Sequence, residues 1–190
     1  MRWTGRTALV ALVGSGVVAA LAISCASQQQ VAPPTISKVE RGKYLVSVLG
    51  CTDCHTPGAF YGFPDTTRLL SGSELGWTGP WGTSYARNLT PDSTGLAAWT
   101  EDDIVTAIRT GVRADHTPIL PPMPWPVYGH LTNDDAYAVA AYLKSLPPVA
   151  HKAPDRLAPG VKAPAALVFP PPPAYDAMNL PPPQQAAATK

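Results

Sequence analysis

Cysteine is scarce in this chain: 190 residues carry three, at positions 25, 51 and 54. Three cannot form an even disulfide framework, and two of them lie too close together to staple distant segments. Charge is sparse too, at 14% of residues with a formal net charge of +1. That balance removes the electrostatic case for a nucleic-acid partner. No stretch alternates strictly enough between apolar and polar residues to predict a strand, and no internal repeat is present. The uncharged apolar stretch Ala8–Ile23 covers about 16 residues, short of the roughly 20 that span a bilayer. Proline, by contrast, is abundant, with 23 residues.

The start of the chain reads as an export signal: Arg2 and Arg6, then the apolar stretch, then Ala22-Ile23-Ser24-Cys25. This arrangement resembles a bacterial lipoprotein signal, although Ala22 stands where that pattern usually has Leu. The resemblance implies cleavage before Cys25, lipidation of its thiol and a lipid anchor on the periplasmic side of a bacterial membrane. Ordinary signal cleavage nearby, or an uncleaved anchor, is the alternative. After residues 1–24, residues 25–36 form a polar tether with little to bury. A compact region over 37–149 follows, and then a Pro-rich extended tail over 150–190. About half of the prolines lie from Pro147 onward, a composition that favours polyproline conformation and cannot build its own core.

The compact region is expected to be all-α, with three main helices joined by long loops. The first runs from about Lys38 to Gly50, with Val39, Gly42, Leu45, Val46 and Leu49 on one face. The second starts at Thr100, which can cap the amide of Asp103, and stops at Gly111. The third starts at Thr132, has Asp134 and Asp135 in its first turn, and ends before Pro147-Pro148. About 50 residues rich in Gly and Pro separate the first helix from the second. A loop of that size is tolerable when it wraps something large and apolar that supplies the missing core.

Cys51-Thr52-Asp53-Cys54-His55 supplies that object. In Cys-x-x-Cys-His the two thiols add to the two vinyl groups of a porphyrin, and the adjacent imidazole offers a nitrogen to the iron. The expectation is one covalently bound haem c, with Cys51, Cys54 and His55 in the site. A thioredoxin-like dithiol would need a strand–helix–strand setting, and zinc would need a second ligand pair. Neither is present: His116, His130 and His151 are scattered and no further cysteine is close. Electron transfer through six-coordinate iron needs one more ligand. Met123, in Leu120-Pro121-Pro122-Met123-Pro124-Trp125-Pro126, is the candidate, because prolines restrain its backbone. Met178 lies in the Pro-rich tail; His116 and His130 are the competing ligands, and a gap-filling core methionine is the plain alternative for Met123.

These residues resemble the class I mono-haem c-type cytochromes over about Glu40 to Val149. The match runs through Arg41-Gly42-Lys43-Tyr44-Leu45-Val46, Cys51 to Pro57, Asn88-Leu89-Thr90-Pro91-Asp92, Trp99-Thr100, Ala107 to Gly111, Pro122 to Trp125, and Ala141 to Pro148. Together they look like the cytochrome domains and subunits of bacterial membrane-linked dehydrogenases. The resemblance implies that the first and last helices cross closely where Gly42 meets Tyr142. It implies that the carbonyl of Pro57 accepts the His55 imidazole proton. Trp81, Tyr85 and Arg87 could donate to the haem propionates, or serve as ordinary loop residues, while Asn88 could stabilise the loop itself. The expected function is single-electron transfer in the periplasm, from a dehydrogenase towards an oxidase or another cytochrome, by a carrier that is not itself an enzyme. A haem enzyme or sensor with a labile sixth ligand, and an obligate electron-transfer subunit of a dehydrogenase complex, are the alternatives.

Overall fold

In the computed structural model, which describes residues 36–170, Ser37 opens the first helix, α1 (Lys38–Val48). Its hydroxyl accepts from the amide of Glu40, whose carboxylate returns to the Ser37 amide. That capping box satisfies two amides that a helix start otherwise leaves unpaired. Gly50, in the left-handed region at φ 70°, lets the chain turn from α1 directly into the single-turn helix α2 (Cys51–His55). Thr100 caps α3 (Glu101–Thr110) through the Asp103 amide, and Gly111 ends it at φ 71°. A short helix α4 (Trp125–Tyr128) precedes α5 (Asn133–Ser145), capped by Thr132. The three main helices thus stand where caps and periodicity put them.

Their apolar faces meet in one core. Leu45 and Val46 of α1, Ile104 and Val105 of α3, and Val139 and Leu143 of α5 are all buried in it. Gly42 makes the α1–α5 crossing possible. A Cβ there would overlap the main-chain carbonyl of Ala138 and lie 2.7 Å from Tyr142 Cβ. Lys144, in the last turn of α5, donates to the carbonyls of Leu96 (3.0 Å), Ala97 (3.2 Å) and Trp99 (2.8 Å). One ammonium thereby closes the turn that leads into α3. Three Asp-x-Thr turns fold the connections on themselves: Asp65, Asp92 and Asp115 each accept from both the amide and the hydroxyl of the threonine two residues on.

The all-α expectation needs correcting. The stretch between α2 and α3 holds two strands, β1 (Gly76–Gly79) and β2 (Gly82–Tyr85), paired antiparallel from Gly76↔Tyr85 to Gly79↔Gly82. A third strand, β3 (Ala166–Val168), pairs parallel to β1, giving the order β2-β1-β3. Strands of three and four residues, two of them opening on glycine, are too short for alternation to register. The strand β3 also shows where residues 150–170 lie. Ala153 is buried, Leu157 bridges to Thr83, and the Phe169 ring packs against Trp77 and Trp81. These residues have no core of their own and take up part of the domain's surface instead. No helix among the described residues is long and apolar enough to cross a membrane.

Candidate functional site

In α2 the two cysteines are three positions apart on a helical turn, so their side chains share one face. Both side chains are half-buried and neither is in a disulfide. Cys51 packs against the apolar core. Burial pushes its thiol up to about 11, and burial with the Asp53 carboxylate raises Cys54 as well. Both therefore present neutral sulfur, that of Cys51 against the apolar core.

His55 follows at once. Its Nδ1 lies 2.7 Å from the carbonyl oxygen of Arg87. A carbonyl only accepts, so Nδ1 carries the proton and donates it, and Nε2 keeps its lone pair. Burial lowers the imidazole's pKa and so favours the neutral ring, opposed in part by that same hydrogen bond. The acceptor is not the Pro57 carbonyl that the family resemblance implied. Pro57 instead accepts from the Asp65 amide at 2.9 Å, closing the turn after α2. The Arg87 carbonyl reaches His55 because residues 86–89 run beside residues 70–73. Leu89 N donates to Leu70 O at 2.8 Å and Ser73 N to Ala86 O at 3.0 Å.

Met123 is half-buried in the loop between α3 and α4. Three contacts hold that loop: Ile119 N donates to Gly111 O (2.7 Å), Ser84 Oγ to Pro121 O (2.5 Å), and Tyr128 Oη to Leu49 O (2.7 Å). Tyr128 thus ties the end of the methionine loop to the residue before Gly50 and α2. Burial raises its phenol well above the usual range, and the neighbouring Cys51, Cys54 and Asp53 add to this. The competing ligands His116 and His130 are both exposed. Cys25 and Met178 lie outside the described residues.

Two of the three residues weighed as propionate donors are engaged within the chain. Trp81 Nε1 donates to Trp77 O at 3.2 Å, and the Arg87 guanidinium reaches Ala153 O at 3.3 Å and Asp155 at 3.6 Å. Tyr85 is buried. Asn88 is the loop stabiliser: its Nδ2 donates to Thr94 Oγ1 and to Val149 O, and its Oδ1 accepts from Thr90.

Two neutral thiols on one helical face and an imidazole nitrogen with its lone pair free, within five residues, fit a covalently attached porphyrin. The family model for cytochrome c matches residues 39–147, more than half of the chain. This chain belongs to the cytochrome c family. Membership brings covalently bound haem c and its iron, and the Cys51/Cys54 spacing fits the attachment motif. The cytochrome is 36% identical over 121 residues to the cytochrome c subunit of a quinone-dependent alcohol dehydrogenase from Gluconobacter oxydans (strain 621H). That match covers 62% of this chain and 24% of the relative. It is 34% identical over 106 residues to the fructose dehydrogenase cytochrome subunit of Gluconobacter japonicus, covering 55% of this chain and 20% of that one. It is 32% identical over 114 residues to the gluconate 2-dehydrogenase cytochrome c subunit of Pantoea cypripedii, covering 59% and 24%. The cytochrome therefore aligns with about a quarter or less of these relatives' lengths. They are cytochrome subunits of dehydrogenases, the class to which the sequence resemblance pointed.

Proposed function

We propose that this cytochrome carries single electrons between a membrane-linked dehydrogenase and a respiratory acceptor, an oxidase or a further cytochrome, on the periplasmic side of a bacterial membrane. Cys51 and Cys54 would hold the haem through thioethers, and His55 Nε2 and Met123 Sδ would bind its iron. The bound haem supplies a one-electron Fe(III)/Fe(II) couple, which thioether ligation places at higher potential than two imidazoles would. The observation that carries this reading is the commitment of His55 Nδ1 to the Arg87 carbonyl, which leaves the opposite nitrogen as the only donor atom of the ring. Met123, in a loop held through Pro121 and Tyr128, would be the second ligand, and with both ligands in place no coordination position would be left for substrate. The names of the relatives, each the cytochrome subunit of a dehydrogenase, support the dehydrogenase partner. The anchor is a lipid on Cys25.

Visible spectroscopy of the ferric holoprotein tests the ligand set. The weak charge-transfer band at the red edge that marks thioether-bound ferric haem is expected in the native protein and is lost in Met123→Ala; its survival in that variant would refute the assignment. A haem enzyme or sensor would instead show high-spin iron that binds added ligands at once. Mass spectrometry of the mature N-terminus tests the anchor, with an acylated Cys25 expected and an unmodified or uncleaved start counting against it.

A further inference from the structure

Residues 149–155 brace both of the peptide groups that hold His55, one through the side chains of Arg87 and Asn88 and the other directly at Ser71 O. The first is the Arg87 carbonyl, which accepts from the imidazole. The side chain of the next residue, Asn88, is 2% exposed, and all its polar atoms are used. Nδ2 donates to Val149 O at 2.8 Å and Thr94 Oγ1 at 2.9 Å, and Oδ1 accepts from Thr90 N at 2.9 Å and Thr90 Oγ1 at 2.8 Å. Thr90 Oγ1 in turn accepts from Val149 N at 3.1 Å, and Thr94 Oγ1 from His151 N at 3.1 Å. The second peptide is Ser71–Gly72, whose Gly72 N–H donates to the His55 carbonyl at 2.8 Å. His151 Nδ1 lies 2.8 Å from the oxygen of that same peptide, Ser71 O. A Cβ on Gly72 would come within 2.9 Å of Ala86 O and 3.0 Å of Asn88 N, so the two peptides are stacked against each other with no slack.

We infer that residues 149–155 are a clamp that positions His55 through Arg87–Asn88 and Ser71–Gly72, and thereby set the reduction equilibrium of the bound haem. The inference rests on His55 being the axial ligand. A ligating imidazole that donates its second N–H to a well-aligned carbonyl is a more basic ligand. A more basic ligand favours Fe(III) over Fe(II). Loosening the clamp lets the Arg87 carbonyl drift, weakens that bond and shifts the equilibrium towards the reduced form. Thr90 and Asn88 are positioning residues in this scheme; neither carries charge, so removing one alters the geometry without altering the field at the iron directly.

The test uses the full-length holoprotein. Thr90→Val keeps the shape but deletes the hydroxyl that bonds Asn88 and Val149. Equilibration with a redox mediator should show the reduced form favoured by about three- to tenfold over wild type, tenfold being about 59 mV for one electron. Thr90→Ser, which restores the hydroxyl, should return to within about twofold of wild type. If Thr90→Val fails to fold, Thr94→Val, which deletes an exposed, uncharged hydroxyl that bonds both Asn88 Nδ2 and His151 N, should shift the equilibrium in the same direction. A folded Thr90→Val with an unmoved equilibrium and only a lowered melting temperature would overturn the clamp, reducing these residues to a brace. A wild-type ferric spectrum without histidine-ligated low-spin haem would overturn the ligation reading and the clamp with it.

Discussion

Gly42→Ala is a small change placed where the fold has no room. Alanine in a helix interior is favoured over glycine by about 1 kcal/mol, so propensity alone would make the variant more stable. The crossing opposes it. The added methyl would overlap the carbonyl oxygen of Ala138 and lie 2.7 Å from Tyr142 Cβ. Neither neighbour is the end of a flexible side chain, so α1 and α5 must separate. Overpacking of a core costs about 1–3 kcal/mol, and a rigid main-chain obstacle puts this case near ~3. The net expectation is a loss of about 2 kcal/mol. For a domain of this size that is a melting temperature lower by about 8 °C. Thermal unfolding of the ferric holoprotein, followed by far-ultraviolet circular dichroism, measures it. Adding Tyr142→Ala should not recover the loss, because the Ala138 oxygen belongs to the main chain. An unchanged or raised melting temperature in Gly42→Ala would refute the close crossing.

Lys144→Met removes the donor shared by three carbonyls and should cost about 1–2 kcal/mol by denaturant titration; a change below a few tenths would show that water replaces the ammonium freely. Asn88→Ala strands the buried polar atoms around it, each worth about 1–3 kcal/mol, so a loss of about 3 kcal/mol is expected by the same method, and one under 1 kcal/mol would contradict the network. The acid limb has a defined place. Bonds from Thr67 and then Arg68 hold Asp65 down to about 2. Its folded-state pKa lies below its unfolded one, so its contribution is present above about pH 4 and is lost as pH falls through about 2. Asp65→Asn should flatten stability against pH in that window, and an identical acid limb would exclude Asp65 as a contributor.

The helices were legible because their signals are local. Thr100 with Asp103, Thr132 before two aspartates, and Gly111 after a ten-residue run each act within one turn of the chain. The attachment motif was legible for the same reason, its chemistry falling within five residues. The Gly42–Tyr142 contact came from the family resemblance, and the geometry agrees with it. The sheet escaped because β1 and β2 are brief and small-residue-rich, while β3 finds its partner about 90 positions away in the sequence. The acceptor for His55 escaped for a different reason. Every residue has a carbonyl, so nothing in the side chain of Arg87 marks its oxygen as the one that reaches the imidazole. Proline counting set residues 150–190 apart as an extended tail, but composition cannot show that its first twenty residues borrow burial from a neighbouring surface.

The parallel pairing of β1 with β3 also orders assembly in time. Residues 76–78 cannot find their partner until residues 166–168 have been made, so this closure comes late in synthesis. Closing so long a loop is slow compared with local helix formation. The α2 thiols lie well inside the portion that emerges first. The attachment motif is therefore complete in the chain long before β3 is there to finish the sheet.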